Sequence, residues 1–129
     1  MNILAVCTGN TCRSPMVMAL IKKLHPEHNV LSAGIFANEE PISQNSVLAL
    51  KQEGIDLSDY ISVQLTPQML EEADVVVCAT KEHEMLIKAF LKDQKVFVLD
   101  CPDPFGGNLE TYIATKDYLI EKIKELSFD

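Results

Sequence analysis

The sequence has 129 residues, a length typical of one domain, and 47% of them are hydrophobic, which is enough to form a buried core. Its net charge of −8 and its pI of about 4.8 argue against binding to nucleic acids or anionic membranes, because phosphate-rich surfaces attract clustered Lys and Arg. No apolar run approaches the roughly 18–20 residues that span a bilayer, and no export signal precedes the four cysteines. We therefore expect a cytoplasmic protein with reduced thiols.

Short apolar runs alternate with amphipathic segments along the chain. The predicted strands are Asn2–Val6, Asn29–Leu31, Asp74–Ala79 and Val96–Leu99. The predicted helices run from an N-cap at Ser14 to about Leu24, over Ser43–Glu53, from Thr66 toward Glu72, from Lys81 to about Leu91, and from Asn108 to about Leu126. This alternation predicts one α/β domain over residues 1–129, in which a four-stranded parallel sheet has helices on both faces, giving three layers.

Two loops follow predicted strands and carry reactive side chains, one at Cys7 and the other at Asp103. In parallel sheets, ligands bind at the carboxyl ends of the strands. We therefore expect these two loops to meet at one edge of the sheet.

The segment from Cys7 to Pro15, CTGNTCRSP, joins a predicted strand to a predicted helix. At a helix N-terminus, unpaired backbone N–H groups and the helix dipole favour an anion. Gly9 and Asn10 tolerate the positive φ that turns successive N–H groups inward, and these donors would stabilise a thiolate at Cys7. Arg13, the only Arg in the sequence, could hold two oxygens of a phosphoryl group. The segment therefore predicts a phosphate-binding loop with a nucleophilic cysteine.

This motif, C-x-G-N-x-C-R-S-P, resembles the signature of the low-molecular-weight protein tyrosine phosphatase family, and the similarity covers nearly the whole chain. The resemblance implies a flavodoxin-like fold and a cysteine-dependent hydrolysis of phosphorylated proteins through a phosphocysteine. It makes Cys7 the nucleophile, Arg13 the phosphate clamp and Asp103, which precedes Pro104, the general acid. Neither a metal nor another cofactor is expected, and we expect the three His residues to lie at the surface.

The same resemblance assigns roles to further residues. It implies that Ser14 steadies the thiolate, and that Asn10 and Ser32 hold the loop in shape. The expected phosphate-binding residues are Thr8, Gly9, Asn10, Thr11, Cys12, Arg13 and Ser14. Several family members close the pair that matches Cys7 and Cys12 into a reversible disulfide, which would switch off the nucleophile under oxidation.

The substrate depends on three side chains that we expect to determine specificity, Thr11, Phe36 and Phe105. Thr11 stands where phosphotyrosine-preferring members carry an apolar residue, and the sequence D-P-F-G-G replaces their aromatic pair. Both features resemble the protein arginine phosphatase branch of the family. A guanidinium group favours a hydroxyl or carboxylate partner, whereas a phosphotyrosine ring favours apolar walls. We therefore expect phosphoarginine as the substrate, with phosphotyrosine as the alternative.

Three other functions fit the motif less well. An arsenate reductase needs two neighbouring cysteines on a mobile segment, whereas Cys78 lies within a predicted strand and Cys101 in the acid loop. A phosphocarrier has no use for a positioned acid such as Asp103, and a catalytically dead binding module would lack an essential residue. Two departures from the family are the short stretch Leu99–Pro102 and the residues Val17–Met18, where Ala-Glu is common. The oligomeric state stays open, with a monomer favoured.

Overall fold

A parallel sheet forms the centre of the fold. The computed structural model describes residues 1–128, and in this range the strands are β1 (Asn2–Cys7), β2 (Asn29–Gly34), β3 (Val75–Cys78) and β4 (Lys95–Val98). All neighbouring strands pair in parallel, in the order β2-β1-β3-β4. The predicted four-stranded parallel sheet is therefore confirmed.

Five α-helices accompany the sheet within the same range. They are α1 (Arg13–Leu24), α2 (Gln44–Lys51), α3 (Pro67–Glu72), α4 (Lys81–Ile87) and α5 (Leu109–Lys124). Side chains at three N-caps accept a hydrogen bond from the first turn of their helix, namely Ser43, Thr66 and Asn108. Each of them satisfies a backbone N–H group that has no partner inside the helix. No helix within residues 1–128 combines the length and the apolar character needed to cross a membrane.

Three predicted boundaries in the N-terminal half of the chain are wrong by more than one residue. Helix α2 ends at Lys51 and not at Glu53. Strand β2 does not end at Leu31 but continues to Gly34, because β1 pairs with it in register up to Cys7. Helix α1 begins at Arg13, with Cys12 rather than Ser14 at the N-cap position. The hydroxyl of Ser14 instead faces the loop that precedes the helix, which explains why it does not act as the cap.

Helix α4 is shorter than predicted. It ends at Ile87, and a 3₁₀ turn over Lys88–Phe90 replaces the expected last turn. Such tightening is common at the C-terminal end of helices, because i→i+3 bonds satisfy carbonyls that have no α-helical partner. The other strand boundaries agree with the prediction to within one residue.

The core lies on both faces of the sheet, because successive side chains of β1 and β3 point to opposite sides. One face packs against α1, α2 and α5, and its fully buried side chains include Ile3, Met16, Leu20, Leu50, Leu119 and Ile123. The other face packs against α3 and α4, and its buried side chains include Leu4, Val6, Leu70, Val76 and Ile87. Burial of each such side chain contributes about 1.5–3 kcal/mol. The helices on both faces confirm the predicted three-layer, flavodoxin-like α/β fold.

An ion pair with a buried ammonium group joins the segment that follows α2 to α5. Lys116 is only 2% exposed, and its Nζ lies 2.8 Å from a carboxylate oxygen of Glu53 and 3.1 Å from Oε1 of Gln52. It also lies 2.7 Å from the carboxylate of Asp117. These partners offset the cost of removing the ammonium group from water.

Candidate active site

The segment between β1 and α1 forms a loop at the carboxyl edge of the sheet. It borders a cleft of about 320 Å³, and the residues that line this cleft are Cys7, Thr8, Gly9, Thr11, Cys12, Arg13, Phe36, Asn38, Glu40, Asp103 and Phe105. The structure therefore brings together every predicted site residue except Asn10, Ser14 and Ser32, which are buried and do not line the cleft. Asn38 and Glu40 also line the cleft and were not among the predicted site residues.

The thiol of Cys7 lies at the bottom of this loop and is 2% exposed. The backbone N–H of Asn10 donates a hydrogen bond of 3.2 Å to the sulfur, and the hydroxyl oxygen of Ser14 lies 2.9 Å from it. Both groups approach the sulfur from the protein side, the N–H as a donor and the hydroxyl as a group that can donate or accept. This arrangement would support a thiolate nucleophile.

Asn10 organises the interior of the loop. Its φ of 58° is in the left-handed region, which turns the loop back on itself. Its Nδ2 donates to the hydroxyl oxygens of Ser14 (2.6 Å) and Ser32 (3.0 Å), and its Oδ1 accepts from the Tyr60 hydroxyl (2.6 Å) and from the Val63 N–H (2.8 Å). The amide thus uses its full hydrogen-bonding capacity although it is completely buried. These contacts fit the role expected for Asn10 and Ser32.

Arg13 connects the loop to the segment that carries Asp103. The side chain is largely buried, its Nη1 donates to the carbonyl oxygen of Cys101 at 3.2 Å, and its Nη2 lies 3.7 Å from Oδ2 of Asp103. The carboxylate of Asp103 is about half exposed, and its Oδ1 accepts a hydrogen bond from the N–H of Phe105. A guanidinium group and a carboxylate therefore face the cleft that Cys7 lines.

The three expected specificity residues surround the mouth of the cleft. Phe36 and Phe105 are 73% and 77% exposed, so both aromatic rings can contact a bound substrate. Thr11 is half-buried, and its carbonyl oxygen accepts the N–H of Ser43, the residue that caps α2. The loop is therefore anchored to α2 at the position of the variable residue.

Cys12 lies beneath the loop and contacts two hydroxyl groups. Its sulfur is 3.4 Å from the Tyr112 hydroxyl and 3.7 Å from Oγ1 of Thr11. Burial and the contact with Cys12 raise the pKa of Tyr112 to about 12. All four cysteines are free thiols within the described residues, and the reversible disulfide between Cys7 and Cys12 stays a prediction.

The other two cysteines are buried away from solvent. Burial raises the pKa of Cys78, inside β3, to about 12. Burial also raises the pKa of Cys101 to about 11, although the nearby Arg13 opposes this change. Burial thus disfavours the thiolate form that a thiol–disulfide relay requires, which is consistent with the sequence argument against an arsenate reductase.

Two residues that contact the loop were not predicted from the sequence. Tyr60 lies in a segment without regular structure, and nothing in its local sequence indicates that its hydroxyl reaches Asn10. The expectation that all three His residues lie at the surface is wrong for His83, which is 4% exposed because α4 packs its first turn against the loop. The spacing Thr80-x-x-His83 at a helix start is the available signal, since a polar side chain at the third helical position often bonds back to the N-cap.

No group of three or more His, Cys, Asp or Glu side chains within residues 1–128 is arranged to hold a metal ion. The polar groups around the cleft include the guanidinium group of Arg13 as well as the carboxyl groups of Asp103 and Glu40. The guanidinium group and the hydrogen-bond donors of the loop are suited to bind the oxygens of a phosphoryl group directly.

Comparison with known proteins agrees with this geometry. The family described as low molecular weight phosphotyrosine protein phosphatase matches residues 2–128. The chain is 38% identical to a protein-arginine-phosphatase of Bacillus subtilis (strain 168), over 98% of this chain and 95% of the relative. It is 36% identical to the low molecular weight protein-tyrosine-phosphatase PtpB of Staphylococcus aureus, over 98% of this chain and 96% of that relative. Among solved structures, the YwlE arginine phosphatase mutant with a phosphorylated active-site serine has a TM-score of 0.88 at 36% identity and covers 96% of this chain and 91% of that chain.

Proposed function

Because this chain belongs to the low molecular weight phosphotyrosine protein phosphatase family, we propose that it hydrolyses phosphoarginine in proteins through a phosphocysteine on Cys7. The observation that carries the proposal is the environment of the Cys7 sulfur. It receives a hydrogen bond from the Asn10 N–H, lies 2.9 Å from the Ser14 hydroxyl, and borders a cleft that also contains Arg13 and Asp103. A nucleophile, a cationic clamp and an acid are the groups that phosphoryl transfer without a metal requires.

In the first step, the Cys7 thiolate attacks phosphorus in line with the leaving nitrogen. A sulfur–phosphorus bond forms while the phosphorus–nitrogen bond breaks, and its electron pair passes to the leaving nitrogen. Asp103, in its protonated form, donates a proton to that nitrogen, so that arginine leaves with its positively charged guanidinium group and Asp103 becomes a carboxylate. Arg13 and the loop N–H groups hold the phosphoryl oxygens throughout.

In the second step, water hydrolyses the phosphocysteine. The Asp103 carboxylate accepts a proton from the water, whose oxygen forms a bond to phosphorus. The sulfur–phosphorus bond then breaks, its electron pair returns to Cys7 as a thiolate, and inorganic phosphate leaves. Asp103 ends the cycle protonated and ready for the next substrate.

Two features of the cleft support phosphoarginine as the substrate. The Thr11 hydroxyl and the Glu40 carboxylate are both at the cleft, and a guanidinium group carries N–H donors and a positive charge that match them. The protein-arginine-phosphatase relatives support the same reading. A phosphotyrosine side chain has no positive charge and would leave these groups without a partner.

Phosphotyrosine is the second candidate, and a separate observation favours it. Phe36 and Phe105 are both largely exposed at the mouth of the cleft, where they could flank an aromatic ring. The PtpB relative, a protein-tyrosine-phosphatase, is nearly as similar to this chain as the arginine phosphatases are.

A direct assay separates the two substrates. Phosphate release is measured from a phosphoarginine peptide and a phosphotyrosine peptide of matched sequence, with the wild type, Cys7→Ser, Asp103→Asn and Thr11→Ile. The proposal expects the wild type to favour phosphoarginine, Thr11→Ile to shift the preference toward phosphotyrosine, and Cys7→Ser to be inactive on both. A wild type that prefers phosphotyrosine would favour the second candidate, and full activity of Cys7→Ser would exclude the mechanism.

We further propose that the chain acts in the cytoplasm, as a monomeric single domain over residues 1–129, on phosphorylated proteins rather than nucleic acids. The free thiols and the net charge of −8 support this setting. Light scattering of the purified protein at micromolar concentration tests the monomer, and a mass near twice 14.4 kDa would contradict it.

A further inference from the structure

His83 is a buried imidazole that touches the loop of Cys7, although it lies on a different element. It is 4% exposed and stands in the first turn of α4. Its Nε2 lies 2.8 Å from Oγ1 of Thr8, the residue that follows Cys7. Its Nδ1 accepts a hydrogen bond of 3.1 Å from the Thr80 N–H and lies 3.0 Å from the Thr80 hydroxyl oxygen. Both ring nitrogens are therefore engaged.

These contacts determine where the neutral imidazole carries its proton. A backbone N–H can only donate, so Nδ1 must accept from Thr80 and cannot be protonated in this arrangement. The proton of the neutral ring is then on Nε2, and Nε2 donates to Oγ1 of Thr8. The hydroxyl of Thr8 accepts this bond and keeps its own proton for another acceptor.

Thr8 is exposed and lines the same cleft as Cys7 and Arg13. Within residues 1–128, the bond to His83 is the only hydrogen bond of the Thr8 side chain. The loop backbone at Thr8 is also fixed, because its carbonyl oxygen accepts the N–H of Phe36 at 2.9 Å. The hydroxyl of Thr8 is thus held by His83 on a residue that lines the cleft.

We propose that His83 is a positioning residue that orients the Thr8 hydroxyl as a hydrogen-bond donor to the phosphoryl group bound in the cleft. This inference rests on the proposed phosphatase function and adds to it a residue on α4, outside the phosphate-binding loop. His83 acts through Thr8 and does not itself contact the reacting atoms. Through this contact, the start of α4 becomes part of the support of the phosphate site.

The surroundings of His83 favour the required neutral form. Burial and the nearby Arg13 lower the pKa of His83 from its usual value of 6.5, against the opposing influence of Glu82 and Asp103. At neutral pH the ring is then uncharged and can accept from Thr80 while it donates to Thr8.

The test uses the full chain and inorganic phosphate as the probe. We compare the Kd for phosphate and kcat/KM on a phosphoarginine peptide for the wild type, His83→Ala, His83→Gln, Thr8→Val and the double variant His83→Ala with Thr8→Val. His83→Ala and Thr8→Val should each weaken phosphate binding about tenfold, because a hydrogen bond to a charged acceptor is lost or misdirected. The double variant should be no more than about twofold weaker than either single variant, because both changes remove the same donor.

Two further variants separate positioning from a structural role. His83→Gln keeps an acceptor for the Thr80 N–H and a donor for Thr8, so it should bind phosphate within about threefold of the wild type. Thr80→Ala removes the hydroxyl at the N-cap but keeps the N–H that sets the tautomer of His83. It should lower the melting temperature while phosphate affinity stays within twofold of the wild type.

Nitrogen NMR of the His83 ring adds a readout that does not depend on turnover. At pH 7 the inference expects the tautomer with the proton on Nε2, and a proton on Nδ1 would overturn it.

If the loss of phosphate affinity in the double variant equals the product of the losses in the two single variants, His83 does not act through Thr8 and the inference is wrong. It is also wrong if His83→Ala binds phosphate like the wild type. By contrast, a wild type that binds phosphate but hydrolyses no phosphopeptide would refute the proposed function while the tautomer and phosphate affinities still test the role of His83.

Discussion

The guanidinium group of Arg13 bridges two loops that are far apart in the sequence, since its Nη2 lies 3.7 Å from Oδ2 of Asp103 and its Nη1 donates to the carbonyl oxygen of Cys101 at 3.2 Å. The Arg13 side chain is 6% exposed, whereas the carboxylate of Asp103 is about half exposed to solvent. A planar group with several fixed donors can hold a carbonyl oxygen and face an anion at the same time. The phosphate clamp and the acid loop are thus held together by one residue.

Replacing Arg13 by Lys keeps the charge but removes this double function. An ammonium group is a compact point charge and cannot bond to Cys101 while also contacting two phosphoryl oxygens. We expect Arg13→Lys to lower kcat/KM on a phosphoarginine peptide by about 10²-fold or more and to reduce the free energy of unfolding by about 1 kcal/mol. Steady-state kinetics and urea unfolding measure both effects. Activity within threefold of the wild type would show that charge alone is sufficient at this position.

Gly34, at the end of β2, allows the backbone of the phosphate loop to pack closely against this strand. A Cβ atom at this position would lie 2.6 Å from the Thr8 carbonyl oxygen and 2.9 Å from the Asn10 nitrogen. Both are backbone atoms, so Gly34→Ala must displace the loop. We expect it to cost about 1–3 kcal/mol of stability and to lower kcat/KM at least tenfold.

Gly54 provides the matched control for Gly34. Its φ is 73°, but a Cβ atom there would have no neighbour within 4 Å. Gly54→Ala should therefore cost about 1 kcal/mol through backbone strain alone and leave kcat/KM unchanged. If both alanine variants lose stability and activity in the same proportion, the close approach at Gly34 has no specific effect on the loop.

The phosphate loop could be predicted from the sequence because its information is local. Cys7, Gly9, Asn10 and Arg13 lie within one short segment, and their spacing between a strand and a helix is sufficient to indicate an anion site. The sheet could be predicted for a similar reason, since the apolar runs of β1 and β3 are buried on both faces.

The support of the loop could not be predicted, because it comes from distant parts of the chain. Tyr60 bonds to Asn10 across 50 residues, and His83 bonds to Thr8 across 75 residues. Neither residue has a local pattern that identifies its tertiary partner. The role of Ser14 shows the same limit, since its position before Pro15 favours a helix cap, whereas the buried Cys7 and Asn10 turn its hydroxyl toward the loop.

Three of the four thiols should differ in reactivity. Burial raises the pKa of Cys78 to about 12 and that of Cys101 to about 11, which disfavours the thiolate form of both groups at pH 7. Cys7 lines the cleft and has donors directed at its sulfur. We expect iodoacetamide to modify Cys7 in the native protein, and Cys78 and Cys101 only after unfolding in urea.

Mass spectrometry of the alkylated peptides measures the rate at each thiol. Inorganic phosphate should slow the modification of Cys7, because phosphate bound in the loop blocks the access of iodoacetamide to the sulfur. The rates at Cys78 and Cys101 should not respond to phosphate. Modification of Cys78 in the native protein at a rate similar to that of Cys7 would contradict the burial of β3.

His83 should make the stability of the protein depend on pH. Burial and Arg13 lower the pKa of His83 in the folded state below its usual value of 6.5, although Glu82 and Asp103 oppose this effect. Between these two pKa values the unfolded chain binds a proton that the folded chain excludes, so the free energy of unfolding falls as the pH falls. This contribution is fully present above pH 6.5 and is lost as the pH falls toward the lowered value, by at most about 1.4 kcal/mol per pH unit.

Urea unfolding of the wild type and His83→Gln at several pH values from 8 to about 5 isolates this effect, because all other titrating groups are common to both proteins. The difference in stability between the two should be constant above pH 7 and should change in favour of His83→Gln below pH 6.5, since glutamine does not bind a proton. Parallel curves over the whole range would mean that His83 takes up its proton equally in the folded and unfolded states. In that case its burial beside Arg13 would not disfavour the charged ring, and the neutral form that donates to Thr8 would have no energetic preference in the fold.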